Sequence, residues 1–397
     1  MRVLVLSAGF GEGHNAAARA LVGAFDALGG PNTARMVDAF ALAAPRLNAL
    51  ARRSYLELIN RAPGLWSSTY RWLDRSPAAE KILWLLRGEL RVLARVIAEE
   101  KPDVICSTYP VYAFLLRHLA PALGRRVPHF NVVTDSISIN SLWWRAGADG
   151  WFVPNEDSAA VMRQAGVDAT RVHVLGFPVT DFFQDNAGQL SPSELGHGAQ
   201  PCVLYVVNSG ARLAAETAHR LLTDTSWEIT CTVGRNDALG AELMRLAIGR
   251  RPATRILGWT NQIPRLLMTH HVVLSKAGGA TTQEALAARC PMIVNQIVPG
   301  QEEGNYELLR RHQVGALATT PAEVIAQLDH AFADGGAVWR KWRHALGPLC
   351  RPDAASRIAG FIIERTSTGR ERASLVGSAK VGQPELTPQT AIGGVSA

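Results

Sequence analysis

No stretch of this 397-residue sequence reaches the about 18 consecutive apolar residues that a membrane-crossing helix needs. The opening apolar run, Val3–Ser7, is too short for the core of a secretion signal, and Gly9 interrupts it. A cytoplasmic location is therefore expected, with any contact to a bilayer made peripherally, from its cytoplasmic face. Cysteine is scarce: Cys106, Cys202, Cys231, Cys290 and Cys350 are odd in number and show no C-x-x-C spacing. That excludes a paired-cysteine zinc site, argues against a disulfide framework, and predicts free, mostly buried thiols. No two histidines stand four apart, and H-E-x-x-H, G-x-S-x-G and P-loop patterns are missing. No two aspartates are spaced D-x-D, the pattern that clamps a metal on a diphosphate. Diphosphate chemistry, if present, is expected to run on backbone amides and helix dipoles, with no metal and no cofactor.

What is present describes a folded protein. Hydrophobic residues make up 47% and charged residues 19%, enough for a large core, and the length suits two domains or three. A net charge of +7 favours anionic partners. The chain opens as strand, glycine loop, helix: Arg2–Ser7, Ala8–Gly13, then His14 onward. The same order returns at Val203–Asn208, the turn Ser209-Gly210-Ala211, and Arg212–Leu222. Further apolar runs predict strands at 103–107, 129–134, 150–153, 172–175, 228–233, 255–257, 271–275 and 292–296. The expected class is α/β, two doubly wound Rossmann-like domains facing a cleft. The boundaries read as 1–185, a polar linker at 186–200, a second domain at 201–345, helices at 346–365, and a tail at 366–397 without stable structure.

Residues Ser275–Asn305 carry the strongest chemical pattern. An apolar strand enters Lys276-Ala-Gly278-Gly279-Ala280, and a helix starts near Thr281. Such a turn lets a phosphate approach backbone N–H groups at the positive end of a helix. Thr282 and Glu284 follow in the first turns, and a second polar turn, Pro299-Gly-Gln301-Glu302-Glu-Gly-Asn305, ends the next strand. Thr281-x-x-Glu284 also reads as a capping box, and the second turn as an ordinary polar loop. Together the motifs resemble the donor half of GT-B glycosyltransferases, nearest to the diacylglycerol glycosyltransferases and more distantly to the peptidoglycan N-acetylglucosaminyltransferase. Ala277 stands where that family usually has proline.

The first half matches the same family. Gly11-Glu-Gly13-His14-Asn15-Ala-Ala17 fits its acceptor loop, and segments 54–70 and 101–110 resemble its N-terminal domain. A histidine at the start of a helix stays neutral and can act as general base; the alternative is a simple capping role. Val132-Val-Thr-Asp135 ends a strand in a carboxylate that could orient His14, act as base itself, or cap the strand. Asn140 stands where plant-type relatives have histidine. Residues 45–95 hold ten Lys/Arg against four acids, among many Trp and Leu. Arg52, Arg53, Trp66, Trp84, Arg87 and Arg91 therefore suit an anionic membrane surface, with a solvated basic face as the alternative.

The resemblance implies an inverting transfer of a hexose from a UDP-sugar to a lipid hydroxyl, that of diacylglycerol or a glycosyl-diacylglycerol. His14 would take the acceptor proton. Glu284 would hold the ribose. Ser209, Gly210, Gly278, Gly279, Thr281 and Thr282 would cradle the diphosphate. Trp259 would lie near the uracil, and Gln301, Glu302 and Asn305 would read the hexose. The last helices would cross back to the first domain. Two other readings share the pattern: a UDP-sugar 2-epimerase or hydrolase, and a non-enzymatic protein binding membrane or nucleic acid, although no nucleic-acid partner is expected.

Overall fold

The computed structural model describes residues 1–380 apart from 31, 47, 52–53, 55–63, 65–71, 73, 75, 77–84, 197, 208–212 and 301, with side chains described to 367. Twelve strands lie in two six-stranded sheets, and every pairing is parallel. The first holds β1 (Arg2–Leu6), β2 (Thr33–Val37), β3 (Val104–Ser107), β4 (His129–Val132), β5 (Gly150–Val153) and β6 (Val172–Val174), in the order β2-β1-β3-β4-β5-β6. The second holds β7 (Cys202–Val206), β8 (Glu228–Gly234), β9 (Thr254–Gly258), β10 (Val272–Lys276), β11 (Met292–Gln296) and β12 (Gly315–Leu317), in the order β12-β11-β10-β7-β8-β9. The inner strands are short apolar runs buried along most of their length, as a sheet covered by helices on both faces requires.

Both orders reverse once. The reversal falls at β1/β3 in the first sheet and at β7/β10 in the second. Ligands of doubly wound sheets bind beyond the carboxyl ends of the strands at such a reversal. Here those ends lead into Ser7–Gly13, Ser107–Tyr109 and Lys276–Gly278, the segments singled out by the sequence.

Residues 1–359 form one compact unit, and the described residues from 360 onward belong to a second. Inside the first unit the core does not respect the expected boundary at 185. Phe177, Val179 and Phe183 bury against Leu266, Leu267 and Leu346, and Ala17 belongs to the same cluster. The chain after Leu346 does return to the first half: a Cβ on Gly176 would sit 2.6 Å from the Ala354 Cβ. The final helix is longer than expected, Ala354–Lys380 rather than ending at 365. Residues 366–380 contain no proline and include Arg370-Glu371-Arg372-Ala373, all good helix formers, which outweigh the scattered Ser and Gly. Residues 381–397 lie outside the described residues. All five cysteines are free, with Cys106, Cys231 and Cys290 buried and Cys202 and Cys350 half-buried.

Candidate functional site

The first half contributes the start of the Glu12–Ala27 helix. Its N-cap is Gly11, at φ 150°, a conformation that side chains resist. The glycine loop is fixed from outside: Gly9 N donates to Asp38 Oδ2 at 3.0 Å, and Ser7 Oγ donates to Asn15 Oδ1 at 2.8 Å. Asn15 is thus a strut of the loop. His14 is buried between Tyr109 and Trp143, with ring centroids 5.2 and 6.4 Å away. Burial pushes its pKa down to about 4, so the ring is neutral at pH 7. Desolvation, more than the helix dipole invoked from the sequence, keeps it so.

His14 Nδ1 lies 2.9 Å from Thr134 Oγ1. The expectation that Asp135 orients His14 is corrected: Asp135 Oδ2 instead accepts from Trp143 Nε1 at 2.7 Å. Burial raises the Asp135 carboxyl to about 6, against the lowering effect of the indole bond. Asn140 is buried, and its Oδ1 accepts from Leu142 N at 3.1 Å, which ties it to the start of the short helix Leu142–Arg145.

The second half contributes the helix Gly279–Ala287. Its N-cap is Gly278, and no side chain caps it, so the capping-box alternative is not realised. The first amides of a helix have no partner within it; here Gly278–Thr281 are half-buried around that end. Thr282 is a correction. It is fully buried and its hydroxyl turns to Met292 Sδ at 3.8 Å, because it shares the core face with Ala285 and Leu286. Thr281 and Glu284 lie together on the other face. Glu284 is half-buried, and no hydrogen bond among the described residues engages its carboxylate. Burial raises it to about 7; Arg19 lowers it and Glu12 raises it, both from the first half.

The polar turn after β11 is built around an ion pair. Glu302 Oε1 meets Lys276 Nζ, and Oε2 accepts from Val298 N at 3.0 Å. The Glu302 carboxylate therefore holds Lys276 next to Gly278, where a Cβ would lie 3.5 Å from Lys276 Cε. Asn305 Nδ2 donates to Ala277 O at 2.9 Å, while its buried Oδ1 has no partner among the described residues. Trp259 stands apart, 73% exposed just beyond the edge strand β9, with the Arg235 guanidinium 5.3 Å from its ring. Ser209, Gly210, Gln301, Arg52, Arg53, Trp66 and Trp84 lie outside the described residues. Arg87 and Arg91 are exposed on the helix Arg87–Glu100.

The two helix starts abut. A Cβ on Gly13 would lie 3.6 Å from Ala280 N, and one on Gly279 would lie 3.3 Å from Thr134 O. The His14 loop and the start of the second helix thus meet where the two halves touch. The sequence reading missed Lys276, Thr134, Ser136 and Gln283. Lys276 stood in the motif but was not counted, and the others depend on contacts between distant residues.

A family model for monogalactosyldiacylglycerol (MGDG) synthase matches residues 14–179. The processive diacylglycerol beta-glucosyltransferase of Bacillus cytotoxicus is 25% identical over 368 residues, covering 91% of this chain and 93% of that protein. The homologous enzyme of Bacillus mycoides is 24% identical over the same shares. Among solved structures, Acinetobacter baumannii MurG superimposes with TM-score 0.58 at 13% identity, over 91% of this chain and 99% of that one. The UDP-GlcNAc 2-epimerase of Neisseria meningitidis, bound to UDP-GlcNAc, gives 0.57 at 12%, over 92% and 100%. The structural likenesses establish the fold, which transferases and epimerases share; the sequence likeness runs to the transferases. The chain has the GT-B fold and is similar in sequence to the diacylglycerol glycosyltransferases.

Proposed function

We propose that this protein transfers a hexose from a UDP-sugar to the hydroxyl of diacylglycerol or a glycosyl-diacylglycerol, with inversion at the anomeric carbon. The observation that carries the reading is the meeting of the helix start that bears a neutral, buried histidine with an uncapped helix start of the other half. In the tautomer with the proton on Nδ1, facing Thr134 Oγ1, His14 offers its Nε2 lone pair to the acceptor proton. The diphosphate sits on the amides of Gly278–Thr281, and Ser209 and Gly210 are proposed as further contacts to it. Lys276, held by Glu302, supplies positive charge as the leaving group departs. Glu284 grips the ribose hydroxyls, and Asn305 Oδ1 and Gln301 the hexose.

The donor site is proposed to work without a metal. Among the described residues no group of three or more His, Cys, Asp or Glu is arranged to hold one. The acceptor is proposed to be reached from the membrane surface. No helix among the described residues is long and apolar enough to cross a bilayer. Leu50, Trp72 and Leu85 are exposed within the basic stretch, and Arg87, Arg91 and Arg95 form an exposed stripe at four-residue spacing. The test is incubation of the purified protein with a panel of UDP-sugars and diacylglycerol vesicles, followed by mass spectrometry of the lipids. A hexosyl-diacylglycerol supports the reading; free epimerised or hydrolysed sugar with unchanged lipid overturns it.

A further inference from the structure

Residues 133–138, the turn that follows β4, are gripped from both halves. On one side Val133 N donates to Phe152 O at 2.9 Å, and Thr134 Oγ1 meets His14 Nδ1 at 2.9 Å. On the other side Gln283 Nε2 donates to Ser136 Oγ at 2.9 Å, across 147 residues of sequence, and both side chains are buried. Backbone meets backbone beside it. A Cβ on Gly304 would lie 1.9 Å from Ser136 O and 2.5 Å from Ser138 N, so only glycine allows the approach.

The turn itself is strained. Ile137 sits at φ 55°, in the left-handed region that a β-branched side chain avoids. Such a conformation persists only where the surroundings over-determine it. Here they do: Ile137 N donates to Ser158 Oγ at 3.3 Å, and Ser138 N donates to Ser136 O at 2.6 Å. Thr134, two residues before the Gln283 contact, is the hydrogen-bond partner of His14. Gln283 is the neighbour of Glu284 on the helix whose start meets the His14 loop.

We infer that this turn carries the register of the donor half to His14, with Gln283 as a positioning residue acting through Ser136 and Thr134. The inference rests on the reading of His14 as the proton acceptor. Loss of the Gln283 contact frees the turn to slip against Gly304. Thr134 then moves off Nδ1, and the imidazole loses both its tautomer and its direction. Gln283 touches neither substrate, so nucleotide binding stays intact.

The test uses the full chain with Gln283→Ala, Ser136→Ala and the double variant. It measures kcat with UDP-glucose and diacylglycerol vesicles, UDP affinity by calorimetry, and the His14 imidazole titration by NMR without nucleotide. Each single variant is expected to lower kcat about tenfold or more, since small misplacements of a catalytic group are costly. UDP affinity stays within about twofold, and the double variant is no slower than either single one, as for residues acting as a unit. The His14 titration shifts from that of the unsubstituted protein, because the group facing Nδ1 has moved. Unchanged kcat, losses that multiply in the double variant, or a His14 titration identical to that of the unsubstituted protein would each overturn the inference. If the unsubstituted protein transfers no sugar, the transfer reading fails, and the His14 titration alone decides the coupling.

Discussion

The two halves place the same device at their reversals, a helix that starts on an uncapped glycine, and arm it differently. In the first half the side chain on the helix is satisfied: His14 is buried, neutral and held by Thr134. In the second half it is unsatisfied: Glu284 is half-buried and unbonded among the described residues, with its pKa raised to about 7. A satisfied neutral base is set for moving a proton. An unsatisfied carboxylate beside unpartnered amides is set for a ligand, because buried polar groups left without partners cost free energy that a ligand recovers. On the proposed function, the difference gives chemistry to one half and recognition to the other.

The largest effect should come from breaking the first arm. His14→Ala is expected to lower turnover by about 10²–10⁴, the usual contribution of a general base. UDP affinity measured by calorimetry should be unchanged; retained turnover removes His14 as base.

Breaking the second arm should do the reverse. Glu284→Ala is expected to weaken UDP binding about tenfold to a hundredfold, from about 1.5–3 kcal/mol for a hydrogen bond to a charged group. Unchanged affinity denies its ribose role.

A smaller effect separates the halves by their partners. Replacing Arg87 and Arg91 with Gln should reduce binding to anionic vesicles by about tenfold or more, at about 1 kcal/mol per charge near a membrane surface. UDP affinity and Tm should stay put, and equal sedimentation of both proteins defeats the membrane role.

The smallest effect is a pH dependence. A carboxyl with its pKa raised to about 7 is protonated below that value and ionised above it, and the ionised form is the better acceptor for ribose hydroxyls. UDP affinity should therefore rise between pH 6 and 8. UDP's own phosphate ionises in the same window, so the reference is Glu284→Gln, whose slope should be shallower; equal slopes contradict the assignment.

Much of this was legible in the chain. β5 and β11 fall where their apolar runs place them, at 150–153 and 292–296, since buried parallel strands are nearly continuous apolar runs. The edge strands β2 and β12 escaped. Thr33-Ala-Arg-Met-Val37 is half exposed, and Gly315-Ala-Leu317 is three residues long, so neither makes a recognisable run. Thr282 was misread because motif letters were taken without helical phase: it lies three and four residues before Ala285 and Leu286, on the buried face. Thr134, Ser136 and Gln283 were invisible for another reason. Their partners lie 120 and 147 residues away, and only the packed halves bring them together.

The central claim is that a nucleoside diphosphate docks on the second half's helix start. A crystal structure of the protein with UDP, grown in chelator, tests it most directly. The account predicts the diphosphate against the amides of Gly278–Thr281 and the ribose hydroxyls on Glu284, with no cation between. UDP seated elsewhere, or present only when a divalent metal is supplied, would contradict it.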